Sequence, residues 1–512
     1  MVKEVKTVTV MIVILLVGKG LGLVREMLFA AQVGGGELAD AFMFASQMPR
    51  LLTEAMFAAA ITASFIPVFN GQLARFGKQQ AFNLANNFLN IIVAASAAVT
   101  VLAMLLAPMI VGFGAADFAP YYAGLTVTLL RIALPLIVLS CAAFTFVGIL
   151  QSFDQFYIPA AMSVAANGVV IAYYLLFFDS FGVYGLAVAF LAGWVLQLAI
   201  QLPFLKKYGY KYSFGINLKD PAFGEVLKLV APAMVFVWVL PVNLQINIFA
   251  VTSIVGGSVA LGLANTVYMI VTGVFVLSVA NVIFPKLSRL AVEEDEHTFG
   301  ATLKGSMKGL LYLLIPITVG MIVVAEPLVR VLFLRGEFTY EASALTTTAL
   351  SWFALGIIGF GIQNILARGF FSYKEGRTPL ITGLIAVAIN AVISFGLVNQ
   401  LGIVAPALGS ALAMTICAVV LFVVMYTRNR SIWDATATFD IVKMAVCAVP
   451  MGMAAHFIIS SIAYGGTFAD IAALAVASVV GIFMYLVLTY VLKVSEARLA
   501  VGFISNKYRR NG

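Results

Sequence analysis

The chain has 512 residues, of which 62% are hydrophobic and only 10% charged, with a formal net charge of +8. Soluble globular proteins run to about 45–50% apolar and about 25% charged residues. No soluble core absorbs that excess, so the composition excludes a water-soluble enzyme or binding module and indicates a polytopic integral membrane protein.

A helix needs about 20 apolar residues to cross about 30 Å of hydrocarbon. In chain order, apolar segments lie at 8–33, 39–69, 80–113, 121–150, 157–178 and 182–205, then at 226–254, 258–284, 306–333, 342–372, 379–399 and 403–427, and last at 438–464 and 468–492. The first run follows Lys3 and Lys6, as in a signal peptide. It is too long, carries charge and lacks a small-residue cleavage site, so it reads as a retained first span. The breaks are short and hold turn residues, such as GGGE at 34–37, GAAD at 114–117 and GGTF at 465–468. The expected fold is all-α with 14 transmembrane helices. Cys141, Cys417 and Cys447 stand alone in apolar segments and have no metal or redox spacing, so they read as small buried hydrophobes. No cofactor or metal is expected.

Lys and Arg are concentrated on the cytoplasmic side of membrane proteins. With the N-terminus inside, the inner segments carry Lys3 and Lys6; Arg75 and Lys78; Lys206, Lys207, Lys211 and Lys219; Lys286, Arg289 and Lys304; Lys374 and Arg377; Arg428 and Arg430; and five basic residues from Lys493 onward. The outer loops hold Arg335 against Glu37, Asp117, Asp179, Glu337, Glu341 and Asp470. Both termini are therefore expected in the cytoplasm. Inner loop 151–156 carries no Lys or Arg.

A shift of 220 residues lays parts of the chain over itself. QSFDQFYIP (151–159) meets FSYKEGRTP (371–379), and GVYGLAVA (182–189) meets GIVAPALG (402–409). A shift of 218 lays FIPVF (65–69) over IFPKL (283–287). The offset covers six spans, so the halves keep one orientation, which is a parallel repeat. The expected organisation is two six-helix lobes, 1–209 and 210–430, with two extra helices in 431–512.

Charges inside spans are Lys19, Arg25 and Glu26; Asp40, Arg50 and Glu54; Arg131; and Arg368. Each costs at least about 2.5–3.5 kcal/mol at mid-membrane, so such groups face protein or a watery cavity. Arg50 and Glu54 are four apart and can pair locally, beside the ladder break at Pro49. Arg368 is near enough to the cytoplasmic end to snorkel; Arg131 either does the same or caps a helix contact. Lys19 is near the middle of its span and reads as a cavity residue. A cationic, partly neutralised cavity suits an anionic headgroup such as a phosphate or pyrophosphate. Spans 7 and 8 carry Asn243, Gln245, Asn247 and Asn265 instead of charge. Gly18 and Gly22 form a small-residue face for close helix approach, and Gly20 permits a bend. His297 lies in an acidic loop and His456 alone in span 13, and no nucleophile has a motif partner, so catalysis is not expected.

The stretches GKGLGLVRE (18–26), DAF (40–42), PRLL (49–52), FIPVF (65–69), FYIPA (156–160), QLPFLKKYG (201–209), IFPKLS (283–288), LFLRGEFT (332–339) and ARGFFSYKEGRTP (367–379) together resemble the MurJ (MviN) family, lipid II flippases of the multidrug/oligosaccharidyl-lipid/polysaccharide exporter superfamily. The resemblance implies a bacterial inner-membrane transporter with alternating access. It also implies an anionic lipid-linked substrate and a groove for its undecaprenyl tail formed by spans 13 and 14. Substrate-binding residues carried over by position or proximity are Lys19, Arg25, Glu26, Asp40, Arg50 and Thr53. Thr53 stands where the family has a functional Arg, with Arg50 one turn earlier, and Thr266 stands at a second such position. The expected partners are lipid II, membrane lipids and cell-wall synthesis proteins, without nucleic acid, for a monomer. Two alternatives stay open: a flippase for another lipid-linked oligosaccharide, and a cation-coupled drug exporter of the same superfamily.

Overall fold

A computed structural model describes residues 2–53, 64–462 and 466–498. The helices among them are α1 (Val2–Val33), α2 (Glu37–Thr53), α3 (Ile66–Gly114), α4 (Pro120–Ala133), α5 (Leu136–Ser152), α6 (Tyr157–Leu176), α7 (Phe178–Ala199), α8 (Leu202–Lys207), α9 (Pro221–Ala250), α10 (Gly257–Val292), α11 (Glu296–Phe333), α12 (Tyr340–Ser372), α13 (Arg377–Leu401), α14 (Val404–Arg428), α15 (Ala435–Ile462) and α16 (Thr467–Val491). No strand occurs among the described residues. In lipid this is expected, because a helix satisfies its backbone polar groups internally.

Among the described residues, 11 helical stretches are long and apolar enough to cross a membrane. They carry predicted spans 3–6 and 8–14. Predicted span 1 falls on α1, span 7 on α9, and span 2 on α2 and the first turns of α3, with 54–63 outside the described residues. Predicted span 4 is two helices, α4 and α5, parted at Leu134–Pro135. The cause is local, since Pro135 brings no N–H to the ladder. The basic loop expected around Arg75 and Lys78 is a kink at Gly77, whose φ of 80° suits glycine.

Contacts divide the chain into two compact units, Met1–Val259 with Gly336–Phe338, and Ala260–Arg335 with Thr339–Gly512. In the first unit α1 lies against α6. A Cβ at Gly18 would strike the Ser163 hydroxyl, and one at Gly22 would sit 3.6 Å from Asn167 Nδ2. Small residues thus let the two backbones approach, the usual means of helix association in lipid. A phenylalanine cluster of Phe65, Phe69, Phe82 and Phe88 from α3 and the residue before it meets Phe146 of α5.

In the second unit α12 packs on α14 through Gly356 and Gly359, whose added Cβ atoms would lie 3.0 Å from Ala411 Cα and 2.7 Å from Thr415 N. Helices α11, α15 and α16 meet around Tyr312, Met444, Cys447 and Tyr485. All three cysteines are free and buried.

The repeat is visible in the backbone. Asp154 and Lys374, 220 residues apart, have φ of 58° and 59°, and Gly182 and Gly402 have 52° and 57°. Gln155 N donates to Leu150 O at 2.9 Å and Glu375 N to Phe370 O at 3.0 Å. The hydroxyls of Ser152 and Ser372 each donate to the carbonyl four residues back, both at 2.8 Å.

Candidate functional site

The first unit contains a cavity of about 730 Å³, lined from α1, α2, α4, α5, α6 and α7. Its lining includes the polar side chains of Arg25, Ser46, Arg50, Gln151, Asn167 and Gln197 and the aromatic ones of Phe42, Phe144, Phe190 and Trp194. The volume falls within the roughly 300–1,000 Å³ typical of ligand sites.

Arg25 is the best-defined group in it. Its Nη1 donates to Asn167 Oδ1 at 3.1 Å, its Nη2 donates to the carboxylate of Glu26, and its guanidinium lies 5.3 Å from the centre of the Phe190 ring. Asn167 is itself fixed, because its Nδ2 donates to Gly18 O at 3.2 Å. The glycine face of α1 therefore does two things: it admits α6, and it exposes the carbonyl that orients Asn167. A guanidinium has five N–H donors. Two are used by Asn167 and Glu26, which leaves donors for an anion in the cavity. The remaining site chemistry is neutral: amides at Gln151, Asn167 and Gln197 for hydrogen bonds, and aromatic faces for an apolar or sugar surface.

The structure brings Arg25 and Arg50 into the lining of one cavity. Glu26 is next to that lining through its pair with Arg25. Lys19 is exposed on α1 and does not line this cavity. Asp40 is elsewhere. It is 2% exposed, and its carboxylate accepts from Gly256 N at 2.6 Å and Val259 N at 3.0 Å, which caps the first turn of α10. A carboxylate at a helix N-terminus is favoured by the unpaired N–H groups and the helix dipole. Thr53 ends α2, with its side chain outside the described set, and the Arg50–Glu54 pairing reaches Glu54, which is also outside it.

Thr266 turns its hydroxyl back to Gly262 O at 3.0 Å. Arg131 donates to Met104 O at 3.1 Å, so it contacts a neighbouring helix. Arg368 donates to Asn281 Oδ1 at 3.1 Å and lies 5.3 Å from the Phe284 ring centre. Among the described residues, no three His, Cys, Asp or Glu side chains are grouped as metal ligands.

Counting formal charges overlooks Asn167, Phe190, Trp194, Gln151 and Gln197. Amides inside apolar spans give a signal of their own, since an unpaired one is costly there, and that search would find Asn167 and Gln197. Nothing in the sequence marks Phe190 or Trp194 among 40 Phe and four Trp.

Comparison with known proteins follows from this geometry. The family model for lipid II flippase MurJ matches residues 29–476. A probable lipid II flippase MurJ of Rhizobium meliloti (strain 1021) is 27% identical over 453 residues, covering 86% of this chain and 84% of the relative. Among solved structures, a lipid II flippase MurJ in an inward closed conformation is similar with a TM-score of 0.80 and 21% identity, over 94% of this chain and 98% of that one. An inward-facing multidrug resistance MATE family transporter of the MOP superfamily is similar with a TM-score of 0.66 and 15% identity, over 81% and 95%. At these identities the two structures show a shared fold.

Proposed function

Because the chain belongs to the lipid II flippase MurJ family, we propose that it moves the undecaprenyl-pyrophosphate-linked peptidoglycan precursor from the inner to the outer leaflet of the bacterial cytoplasmic membrane by alternating access. The observation that carries this reading is Arg25, held by Asn167 and Glu26 in the lining of a cavity of about 730 Å³ that Arg50 also lines. The pyrophosphate takes the free donors of Arg25 and the charge of Arg50, since guanidinium forks match phosphate oxygens. The amides and the Trp194 face receive the adjoining sugar. The lipid tail stays in the bilayer beside α15 and α16, whose outward faces are apolar at Val446, Val449, Met453, Ile482 and Phe483. Both termini face the cytoplasm. No bond is made or broken, so the work is transport.

Lys19, exposed on α1, and Thr53 are proposed to meet the headgroup on its way to or from the cavity. Asp40 is proposed to serve the site by holding the first turn of α10. The carboxylates a cation-coupled exporter would use are engaged, Glu26 by Arg25 and Asp40 by two backbone N–H groups, and this favours the anionic substrate.

The test is complementation. A rod-shaped bacterium depleted of its lipid II flippase receives this chain, Arg25→Ala or Lys19→Ala at matched levels. Rescue by the parent and failure by Arg25→Ala is the expected result. Failure of a folded, inserted parent overturns the substrate; rescue by Arg25→Ala overturns the role of the cavity.

A further inference from the structure

The chain between α8 and α9 leaves the helical pattern. Residues 208–220 have no helix, yet they lie along α3, held by three buried asparagines of the sequence NNFLN. Asn86 Nδ2 donates to Lys211 O at 2.9 Å and to Ser213 Oγ at 3.0 Å. Asn90 Nδ2 donates to Ser213 O and to Gly215 O, both at 3.0 Å. Asn87 Nδ2 donates to Asn217 O at 2.9 Å, and its Oδ1 accepts from Asn217 N at 2.7 Å. Tyr210 and Tyr212 close the network by donating to Asn86 Oδ1 at 2.6 Å and Asn90 Oδ1 at 2.9 Å. Four alternate carbonyls, of residues 211, 213, 215 and 217, are thus satisfied by side chains of one helix.

The path is a loop with a crest. It starts beside Asn86, reaches Asn90 at Ser213–Gly215, and returns to Asn87 at Asn217. Under the orientation proposed above, α3 runs outward from the cytoplasm, so Asn90 is about 6 Å deeper than Asn86 at about 1.5 Å per residue. The crest therefore lies level with the start of the apolar run of α3, which follows Asn90, at the boundary of the inner leaflet. The asparagines satisfy alternate carbonyls of this backbone, while among the described residues the amide N–H groups of 211–216 meet no acceptor, which sets the backbone at the level of water and headgroups and only its side chains deeper. The side chains sort accordingly. Phe214, Ile216 and Leu218 are 80%, 50% and 69% exposed, while Lys206, Lys207, Lys211 and Lys219 are exposed at the two ends of the segment.

We propose that residues 206–219 form a membrane-surface loop whose apolar crest side chains reach the acyl boundary of the cytoplasmic leaflet and whose four lysines bind the phosphodiester headgroups of anionic phospholipids. The inference uses the membrane orientation of the preceding reading but not its substrate. Lysines at an anionic surface contribute about 1 kcal/mol each, about fivefold in affinity. An apolar tip with a basic base fits that surface, because its phosphodiesters match the exposed lysines and its acyl boundary receives Phe214, Ile216 and Leu218.

The test uses the full chain in bilayers of phosphatidylcholine, with and without phosphatidylglycerol. The three native cysteines are replaced by alanine, and single cysteines at Phe214 and at Lys219 carry a nitroxide. We expect the label at 214 to be accessible to oxygen and shielded from a water-soluble nickel complex, and the label at 219 to show the reverse. Spin-labelled phosphatidylglycerol should be retained over phosphatidylcholine at least about fivefold, and Lys→Gln at 206, 207, 211 and 219 should bring the ratio near one. A label at 214 open to nickel overturns insertion. Insertion with equal retention of the two lipids overturns headgroup binding. A quadruple variant that keeps the phospholipid preference but loses binding of the pyrophosphate lipid assigns the lysines to substrate and overturns the proposal as stated. A membrane-impermeant reagent that reaches Lys219 from outside overturns the orientation on which the loop rests. Loss of complementation by the parent with the label depths unchanged leaves the loop standing and removes only the lipid II reading.

Discussion

Arg25 in the first unit and Lys308 in the second are both cations set within helices of an apolar protein, and they are held in opposite ways. Lys308 Nζ meets Asp440 Oδ2 at 2.7 Å, Ser495 Oγ at 2.7 Å and Glu496 Oε1 at 3.1 Å. An ammonium has three donors, so its capacity is used. The result is a clamp of α11 to the start of α15 and to the helical residues 495–498 that follow α16, next to the fully buried Val494. Arg25 has one carboxylate partner and one amide, with donors to spare beside an open cavity. The same insertion cost is met by structure in one case and by readiness for a ligand in the other. A basic residue in a span is therefore not by itself a sign of a site; the number of donors left over is.

The comparison can be broken most forcefully at Lys308. Lys308→Met leaves the part-buried Asp440 and Glu496 without this cation, with Lys443 Nζ 4.0 Å from Asp440 as the remaining one, which should cost about 3 kcal/mol of stability, read as a lowered melting temperature of the purified full chain, with flipping per folded molecule retained. Arg25→Ala should act mainly on transport. Loss of one set of charge-assisted bonds, about 1.5–3 kcal/mol, should lower flipping about 10–100-fold in reconstituted vesicles while the melting temperature falls less than in Lys308→Met, because one carboxylate and not two loses its cation. Arg25→Lys should recover only part, because an ammonium has three donors where the guanidinium has five and lacks the planar fork that matches phosphate oxygens.

Gly18→Leu tests the contact that orients Asn167. Overpacking against Ser163 should cost about 1–3 kcal/mol, and flipping should fall as well, since the acceptor for Arg25, Asn167 Oδ1, is displaced. The smallest effect is expected at the half-exposed pair of Lys304 Nζ with Asp434 Oδ2, 2.6 Å apart. Asp434→Asn should change stability by less than about 1 kcal/mol, and by nothing measurable in high salt. A larger loss there than at Lys308 would show that burial does not rank these pairs.

Much of the fold is legible in the sequence because lipid enforces one rule on every span. Apolar length gives the helices, and the offset of 220 recovers a repeat whose turns have matching φ at Asp154 and Lys374. The failures are local. The break at Leu134–Pro135 is hidden inside one apolar run, and the kink at Gly77 hides where a loop was expected. The site is legible in part. Arg25 and Arg50 stand out because charge in a span is rare. Asp40 stands out for the same reason but caps α10 through contacts more than 200 residues away in sequence.

The sequence by itself determined class, span placement and repeat, since these depend on composition and on spacing along one chain. Only the tertiary structure decided which interior cations have donors to spare, that Asn86, Asn87 and Asn90 serve a distant loop, and that Phe190 and Trp194 line the cavity. These depend on which helices are neighbours, and that is set by small-residue contacts such as Gly18 on Ser163, whose partners carry no mark in the linear chain.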